Sequence, residues 1–314
     1  MSMMHFLELR ISKIQFQLLK NSLIFSKRAF FRFSVEKMVS KPSEWLDTNP
    51  DDSQTILEES KLLGILWNAK TDILAFSSNP ESIDQSITKR RVLSPMARLY
   101  DPLRLLSPIL CQFKVFMQLL WVKELSWDET LPENLASQWR TLYHELISVN
   151  SLKIPRWLGT LPTSRIEIHG FGDASKNAMC ASAYFRIFSD NGSQMNLVVA
   201  KTKVAPLKMQ SIPRLDLYAA LLLCQLVNSL LENFDLSEVN IHLWSDSKVV
   251  LCWTASQPYL WQTFVSHRVA EIQRLVHKAH WNYIETKQNS TDIATRKISI
   301  NGFKVVPAPS LLKN

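Results

Sequence analysis

The sequence predicts an α/β fold in which a mixed five-stranded sheet follows a mainly helical segment that carries a β-hairpin. Strand-like alternation of apolar and polar residues occurs in the stretches 165–171, 179–188, 195–202, 239–245 and 281–284. Helical periodicity separates the later stretches but not the first three. Parallel neighbours need a crossover and antiparallel neighbours need only a turn, so we expect antiparallel early strands and parallel later ones.

The N-terminal half is predicted to start with the hairpin and to continue as helices. Two short apolar runs, 61–67 and 72–76, flank a turn and form the hairpin. Residues 151–163 contain two prolines and are predicted to be a linker. Apolar residues at helical spacing predict helices over 88–100, 109–122 and 135–147.

The same reasoning places helices between the strands of the C-terminal half. Ser211 and Pro213 are typical of a helix start, so a long helix is predicted over 212–232. The turn at 190–192 joins the second and third strands of the sheet. Further helices are predicted over 247–255, over 264–278 and from 292 onward.

Composition favours an intracellular protein, cytoplasmic or nuclear, with hydrophobic cores. Of the 314 residues 46% are apolar, which excludes a disordered chain. The four cysteines are far apart without a CxxC pair, which indicates a reducing compartment. No uninterrupted apolar run reaches the ~20 residues of a membrane span, and no secretory signal is visible. The basic residues 1–33 fit either a mitochondrial transit peptide or the helical edge of a truncated domain.

The positive charge of the chain points to a polyanion, although a solvated basic surface has the same composition. The net charge is +8 at pH 7. Between positions 201 and 214 the chain carries bases and no acid, and these could contact phosphates of a nucleic acid. The basic residues of this stretch are Lys201, Lys203, Lys208 and Arg214.

Two of the predicted strands share the same sequence pattern. Residues 168–174 and 241–247 each read apolar, His, small or apolar, aromatic, small, Asp, small. The aspartates, Asp173 and Asp246, therefore stand at the C-terminal ends of their strands. Two strands that deliver carboxylates to the same sheet edge predict a shared acidic site, and such sites usually bind divalent metal.

Two further acids extend this site. Asp216 lies on the packing face of the long helix, where an acid costs free energy unless it is paired or metal-bound. Asp292 opens the last predicted helix, where capping is an alternative role. Each acid alone could be a turn or cap residue. Together they predict a site in which two divalent ions neutralise the carboxylates and clamp a scissile phosphate.

The segments that carry these acids resemble the ribonuclease H region of BEL/Pao-type retrotransposon polyproteins, a region also labelled Pao retrotransposon peptidase. The resembling segments are 171–175, 204–208, 212–217, 244–247 and 289–296. Segments 63–67, 88–90 and 100–108 resemble the connection that follows reverse transcriptase in the same polyproteins. The similarity runs from roughly residue 30 to residue 300, with its motifs in family order.

The resemblance implies a ribonuclease H-like domain that cuts the RNA strand of RNA–DNA hybrids with two Mg²⁺ or Mn²⁺ ions. It places the family's aspartate ligands on Asp173, Asp246 and Asp292. Asp216 stands where the family has Glu, which shortens the reach of that ligand by one methylene. A misplacement of this size can lower a rate by about 100-fold. Arg104 stands where the family has Gly, which we expect to bear on local packing in the connection and not on chemistry.

The resemblance also implies the domain organisation and the partners. Residues 1–60 would be a remnant of the polymerase thumb, 61–163 the connection, 164–300 the ribonuclease H-like domain and 301–314 a tail. No Tyr-x-Asp-Asp polymerase motif and no integrase zinc motif occurs in the sequence. We therefore expect a fragment of an element, or a gene derived from one, that binds RNA–DNA hybrid, with a reverse transcriptase domain as a partner in trans.

Two other functions stay open at this point. The short reach of Asp216 is compatible with a catalytically impaired module that binds hybrids without cutting them. An aspartic peptidase would need two Asp-Thr-Gly or Asp-Ser-Gly loops whose aspartates share one proton. The corresponding segments here, 173–175 and 246–248, contain no glycine, which disfavours the peptidase.

Overall fold

The computed structural model describes residues 59–62, 65–68, 70–78, 86–99, 101, 103–160, 164–190, 192–234 and 238–295. The α/β class predicted from the sequence is confirmed: a five-stranded mixed sheet with helices follows a mainly helical segment with a small sheet of its own. The predicted thumb remnant, apart from residues 59 and 60, and the predicted tail lie outside the described residues.

A four-stranded antiparallel sheet opens the described chain. Its strands pair in the order β1-β2-β3-β4. Two predictions are wrong here. The run 61–67, predicted to be one strand, contributes to two paired strands, β1 and β2. The predicted linker 151–163 contains the strand β4. That strand is held because Leu74 pairs with Ile154 and both side chains are buried. The bounds are Glu59–Leu62 for β1, Ile65–Asn68 for β2, Ile73–Phe76 for β3 and Lys153–Pro155 for β4.

Three helices lie between β3 and β4, close to their predicted positions. They are α1 (Lys89–Arg98), α2 (Ser107–Val122) and α3 (Glu133–Ser148). Trp139 joins the last two, because its ring stacks on Phe116 at 6.0 Å. Aromatic packing therefore holds α2 and α3 together.

A tight turn connects α1 to α2 and is organised by Asp101. Its carboxylate accepts hydrogen bonds from the backbone N–H groups of Leu105 and Leu106, at 2.9 and 2.8 Å. Within the turn Arg104 has a φ of +58°, in the left-handed region that favours glycine. The left-handed φ explains why the BEL/Pao family has glycine at this position. Arg104 adopts the same φ with a Cβ, which strains the backbone.

The five-stranded sheet has the predicted topology. Its order is β7-β6-β5-β8-β9, with β5, β6 and β7 antiparallel and β5, β8 and β9 parallel. A β-bulge at Ala183/Tyr184 shifts the register between β6 and β7. The bounds are Arg165–Ala174 for β5, Ala178–Ser189 for β6, Gly192–Val204 for β7, Asn240–Ser245 for β8 and His280–Tyr283 for β9.

The long helix α4 covers one face of this sheet at close range. Gly170 permits the approach, because a Cβ there would lie 2.8 Å from Leu223 of α4. By length and composition Ile212–Asn233 could span a membrane, which the apolar-run criterion missed, but in the fold it contacts β5 and β6. The helices of this half are α4 (Ile212–Phe234), α5 (Lys248–Ala255), α6 (Thr263–Leu275) and α7 (Asp292–Thr295).

The two halves of the chain pack on each other. Helix α2 contacts β7, the edge strand of the large sheet. The backbone N–H of Ala200 in β7 donates to the carbonyl of Leu103 at 3.3 Å, and Gln118 Nε2 of α2 donates to the carbonyl of Ala205 at 2.8 Å. One continuous hydrophobic cluster includes side chains from both halves.

Candidate metal centre

The two strands with the shared sequence pattern lie side by side in register. His169 of β5 pairs with His242 of β8, and Phe171 pairs with Trp244. The paired rings stack, with centroids 4.9 Å apart for the histidines and 6.1 Å apart for the aromatic pair. Because the strands are parallel and in register, Asp173 and Asp246 come out at the same edge of the sheet, as predicted.

Asp173 is the buried centre of this edge, with 6% of its surface exposed. Its Oδ2 accepts a 2.6 Å hydrogen bond from Thr295 Oγ1. Burial, together with the charges of the other three predicted acids, Asp246, Asp292 and Asp216, raises the pKa of the carboxyl to about 7. The fold therefore brings all four predicted acids together.

Asp216 approaches the centre from the second turn of α4. Burial raises its pKa to about 6, and the nearby charge of Asp246 acts in the same direction. A hydrogen bond from the side chain of Ser247 partly offsets both effects. Asp246 itself accepts a 2.7 Å hydrogen bond from Thr286 Oγ1 and precedes α5, for which Ser247 is the N-cap residue. Asp246 is thus no helix cap.

Asp292 is carried by α7, and a buried loop fixes the start of that helix. Asn289 Nδ2 donates to the carbonyl of Gly172 at 3.2 Å, and its Oδ1 accepts from Thr291. Ser175 Oγ donates to the carbonyl of Thr295 at 3.0 Å. These contacts hold the first residue of α7 beside the end of β5, which is why the last acid of the sequence reaches the site.

The donor set fits a hard divalent cation. All four side chains offer carboxylate oxygens, which Mg²⁺ and Mn²⁺ prefer over nitrogen or sulfur ligands. Burial is the main cause of the raised pKa of Asp173 and repulsion from the other acids adds to it; a bound cation would relieve that repulsion. Asp173, Asp216, Asp246 and Asp292 are therefore the residues that could hold a metal.

The predicted basic residues are spread over two places. Lys201 and Lys203 lie in β7 and flank Thr202. Lys208 is exposed in the segment after β7, and Arg214 is in the first turn of α4 with its guanidinium 4.7 Å from the Phe264 ring centroid. The structure thus separates the four into a pair on the sheet and a pair near the start of α4.

The sequence analysis missed a polar cluster on the same strands. Glu167, His169 and His242 offer ligand atoms within 4.8 Å of one another. His169 Nε2 lies 3.3 Å from Glu167 Oε2, and its Nδ1 accepts a 3.3 Å hydrogen bond from Trp244 Nε1. Both ring nitrogens are thus used within the protein, so we describe the cluster as a hydrogen-bonded group and assign no ion to it.

The sheet order and the acids at its edge define a ribonuclease H-like α/β domain. The sequence matches the family model described as Pao retrotransposon-like RNaseH-like domain over residues 88–247, just over half of the chain. The chain belongs to this family, so the BEL/Pao resemblance is confirmed. The match begins at the cap of α1 and ends just after Asp246, so the family model also spans the helices α1 to α3.

Solved structures with similar folds are distant in sequence. LC11-RNase H1 in complex with RNA/DNA hybrid is 12% identical, with 40% of this chain and 88% of that chain covered and a TM-score of 0.29. An N-terminal RNase H domain from Mycobacterium tuberculosis is 10% identical, with 42% and 94% covered and a TM-score of 0.29. The foamy viral protease-reverse transcriptase in complex with RNA/DNA hybrid is 13% identical, with 78% and 31% covered and a TM-score of 0.42. No curated protein matches the chain.

Proposed function

We propose that this chain is a metal-dependent endoribonuclease that hydrolyses the RNA strand of RNA–DNA hybrids. The observation that carries the proposal is the convergence of four acids at one sheet edge, where burial and the charges of the other three raise the pKa of Asp173. Such a cluster costs free energy unless cations neutralise it. The choice of substrate follows the RNaseH-like description of the family.

Asp173 and Asp246 would bridge or ligate the ions from the ends of adjacent parallel strands. Asp216 and Asp292 would each complete the ligand set of one ion from the two helices. When bound, the two ions supply activation of a water molecule and stabilisation of the leaving oxygen of a phosphodiester.

Hydroxyl groups hold the carboxylates in this arrangement. Thr295 donates to Asp173 at 2.6 Å, and Thr286 donates to Asp246 at 2.7 Å. Each bond fixes one carboxylate oxygen, and the bond from Thr295 also lowers the pKa of Asp173, which favours the ionised form that a cation requires. The domain itself thus supplies orientation and a charge state suited to a cation.

The test is cleavage of a labelled RNA–DNA hybrid in Mg²⁺ or Mn²⁺. We expect the full chain to shorten the RNA strand and Asp173→Asn to abolish this. A matched control, Asp190→Asn, changes an exposed turn aspartate and should cut like the natural chain. Equal cleavage by the natural chain and Asp173→Asn would contradict the assignment of the site.

A second candidate is a hybrid-binding module without efficient cleavage. The observation that favours it is that the side chain of Asp216, already one methylene short, is engaged by Ser247. If neither the natural chain nor Asp216→Glu cuts while both bind hybrid tightly, the enzyme proposal fails and the binding module stands. Absent or salt-insensitive binding to the hybrid would contradict both candidates.

A further inference from the structure

Four cations surround the outer edge of the large sheet where the two halves of the chain meet. We call Arg104, Lys114, Lys201 and Lys203 the junction cluster. Arg104 and Lys114 come from the helical half, in the turn before α2 and in α2, whereas both lysines of the pair come from β7. The cluster therefore exists only when the two halves are packed together.

The backbone places these residues at a common edge. Ala200, next to Lys201, donates from its N–H to the carbonyl of Leu103, next to Arg104. Lys201 of β7 pairs with Ala181 of β6, which in turn pairs with Gly172 of β5. Gly172 faces α4, so the side chain of Lys201 leaves the sheet on the α4 face. Helix α2, which carries Lys114, also packs against β7. Arg104 is close enough to interact electrostatically with both Lys201 of the strand and Lys114 of the helix.

The cations repel one another. Burial lowers the pKa of Lys201, and the charges of Lys203 and Arg104 lower it further. Burial and the charge of Arg104 likewise lower the pKa of Lys114. Like charges held together in this way oppose folding unless an anion compensates them.

The neighbouring acid offsets only part of the charge of the cluster. The single carboxylate of Asp101 interacts electrostatically with both Lys114 and Arg104, and its oxygens also accept backbone hydrogen bonds in the turn. Within the described ranges, no salt bridge joins any of the four cations to a carboxylate. Arg104 and Lys203 are exposed, so an external anion can reach the cluster through them.

Besides electrostatic repulsion from the lysines, Arg104 has a strained backbone conformation. Its φ of +58° lies where a residue with a Cβ is disfavoured, and glycine would occupy the position without strain. The chain thus holds a charged residue in a strained conformation beside other cations. Strain of this kind is typical of functional positions.

The junction cluster lies at the same end of the sheet as the acids. Asp173 pairs with Cys180 of β6, and Cys180 pairs with Thr202 of β7, the residue between the two lysines. Two strand spacings put the backbone of Thr202 about 10 Å from that of Asp173. Lys201 and Lys203 flank Thr202, and strand alternation turns their side chains to the α4 face, the face from which Asp216 approaches the site. A strand of nucleic acid held at the acids would thus have further phosphates within reach of the edge.

We propose that the junction cluster binds backbone phosphates of the hybrid whose RNA strand occupies the acidic site, and that Arg104 is its central contact. The inference rests on the proposed function. Contacts of this kind are insensitive to base sequence and sensitive to salt. Each one is worth about an eightfold change in affinity between 1 M and 0.1 M salt, because the slope is about 0.9 per phosphate.

The test is the salt dependence of hybrid binding by the full chain, measured by fluorescence anisotropy without divalent metal. We expect Arg104→Gly and Lys201→Gln each to raise Kd at 0.1 M KCl by roughly eightfold and to lower the salt slope by about one. Arg104→Lys keeps the charge and should keep the slope. Lys153→Gln, an exposed lysine on β4, is the matched control.

The outcomes separate the two proposals. Unchanged slopes in Arg104→Gly and Lys201→Gln, while the natural chain binds hybrid, would overturn the junction cluster and leave the proposed function standing. Absence of salt-dependent binding by the natural chain, in Mg²⁺ as well as without it, would contradict the proposed function itself. Arg104→Gly also relieves the backbone strain, so a loss of binding together with a preserved or raised melting temperature supports a contact role and excludes unfolding.

Discussion

Thr295 donates a 2.6 Å hydrogen bond to Asp173, across 122 residues of sequence. It joins the last described helix of the chain to the first strand of the large sheet. The bond lowers the pKa of a carboxyl that burial and three neighbouring acids raise to about 7. The hydroxyl of Thr295 therefore offsets part of the repulsion at the proposed metal site.

Removal of this hydroxyl should weaken the site without unfolding it. Thr295→Val preserves the shape of the side chain, so we expect the pKa of Asp173 to rise above about 7 and the acid limb of the pH–rate profile to move to higher pH. Loss of such a supporting bond typically lowers metal affinity by about 10- to 100-fold. The measurement is hybrid cleavage as a function of pH and Mg²⁺ concentration. Thr295→Ser retains the hydroxyl and should behave like the natural chain; an equal shift in both variants would contradict this role.

Restoration of the longer acid at position 216 should raise the rate. Asp216 comes from α4, and a bond from Ser247 holds its carboxylate. The extra methylene of Asp216→Glu lets the carboxylate reach further toward Asp173, so we expect kcat to increase by up to about 100-fold. Single-turnover cleavage in Mg²⁺ measures this. Asp216→Asn keeps the length and removes the charge, and an increase in that variant would show that reach is not the cause.

The pairing of β5 with β8 could be predicted because both strands carry the same pattern of residues. Their register follows from that pattern, and it brings Asp173 and Asp246 to one edge. Asp292 also reaches the site, as its place in the motif order suggested. These features depend on strand periodicity and on residues close to strand ends, and both can be identified from a single sequence.

Other features depend on contacts that local patterns do not record. β4 is three residues long and pairs with β3 from across the helical segment, so its proline-containing stretch resembled a linker. The bond from Thr295 and the group formed by Glu167, His169 and His242 appear only after distant strands have paired. The left-handed conformation of Arg104 was not predicted, because the departure from the family glycine was interpreted as a matter of local packing.

The buried histidine of the sheet should make the fold sensitive to mild acid. Burial lowers the pKa of His169 to about 4, against 6.5 in the unfolded chain. As the pH falls from about 6.5 to 4, the unfolded state therefore takes up a proton that the folded state does not. This group alone removes roughly 3 kcal/mol of stability over that range.

Urea unfolding between pH 4.5 and 7.5 tests this expectation. Asp173 and Asp216 have raised pKa values and act in the opposite direction, so the useful quantity is the difference between the natural chain and His169→Gln. We expect that difference to shrink as the pH falls. His277→Gln changes an exposed histidine and should follow the natural chain at every pH. A constant difference between the natural chain and His169→Gln would contradict the depressed pKa.

The close contact between α4 and the sheet depends on the missing side chain at Gly170. A Cβ there would lie 2.8 Å from Leu223 Cδ1 and 2.9 Å from Leu243 Cδ2, and both leucines are fully buried. Because neither leucine can move into solvent, we expect Gly170→Ala to lower the free energy of unfolding by about 1–3 kcal/mol. The reverse effect, a gain from reduced chain entropy, is smaller, about 0.4–1 kcal/mol.

A double-mutant cycle identifies the clash as the cause. Leu223→Ala alone leaves a cavity and should cost about 2–5 kcal/mol. In the Gly170→Ala background the same change also relieves the overlap, so the combined loss should fall short of the sum by 0.5 kcal/mol or more. Additive losses would show that the alanine is accommodated without contact with Leu223. Because α4 carries Asp216, displacement of this helix in Gly170→Ala should also lower the rate of hybrid cleavage. The control variant Asp190→Asn, in which α4 is not displaced, should cleave like the natural chain.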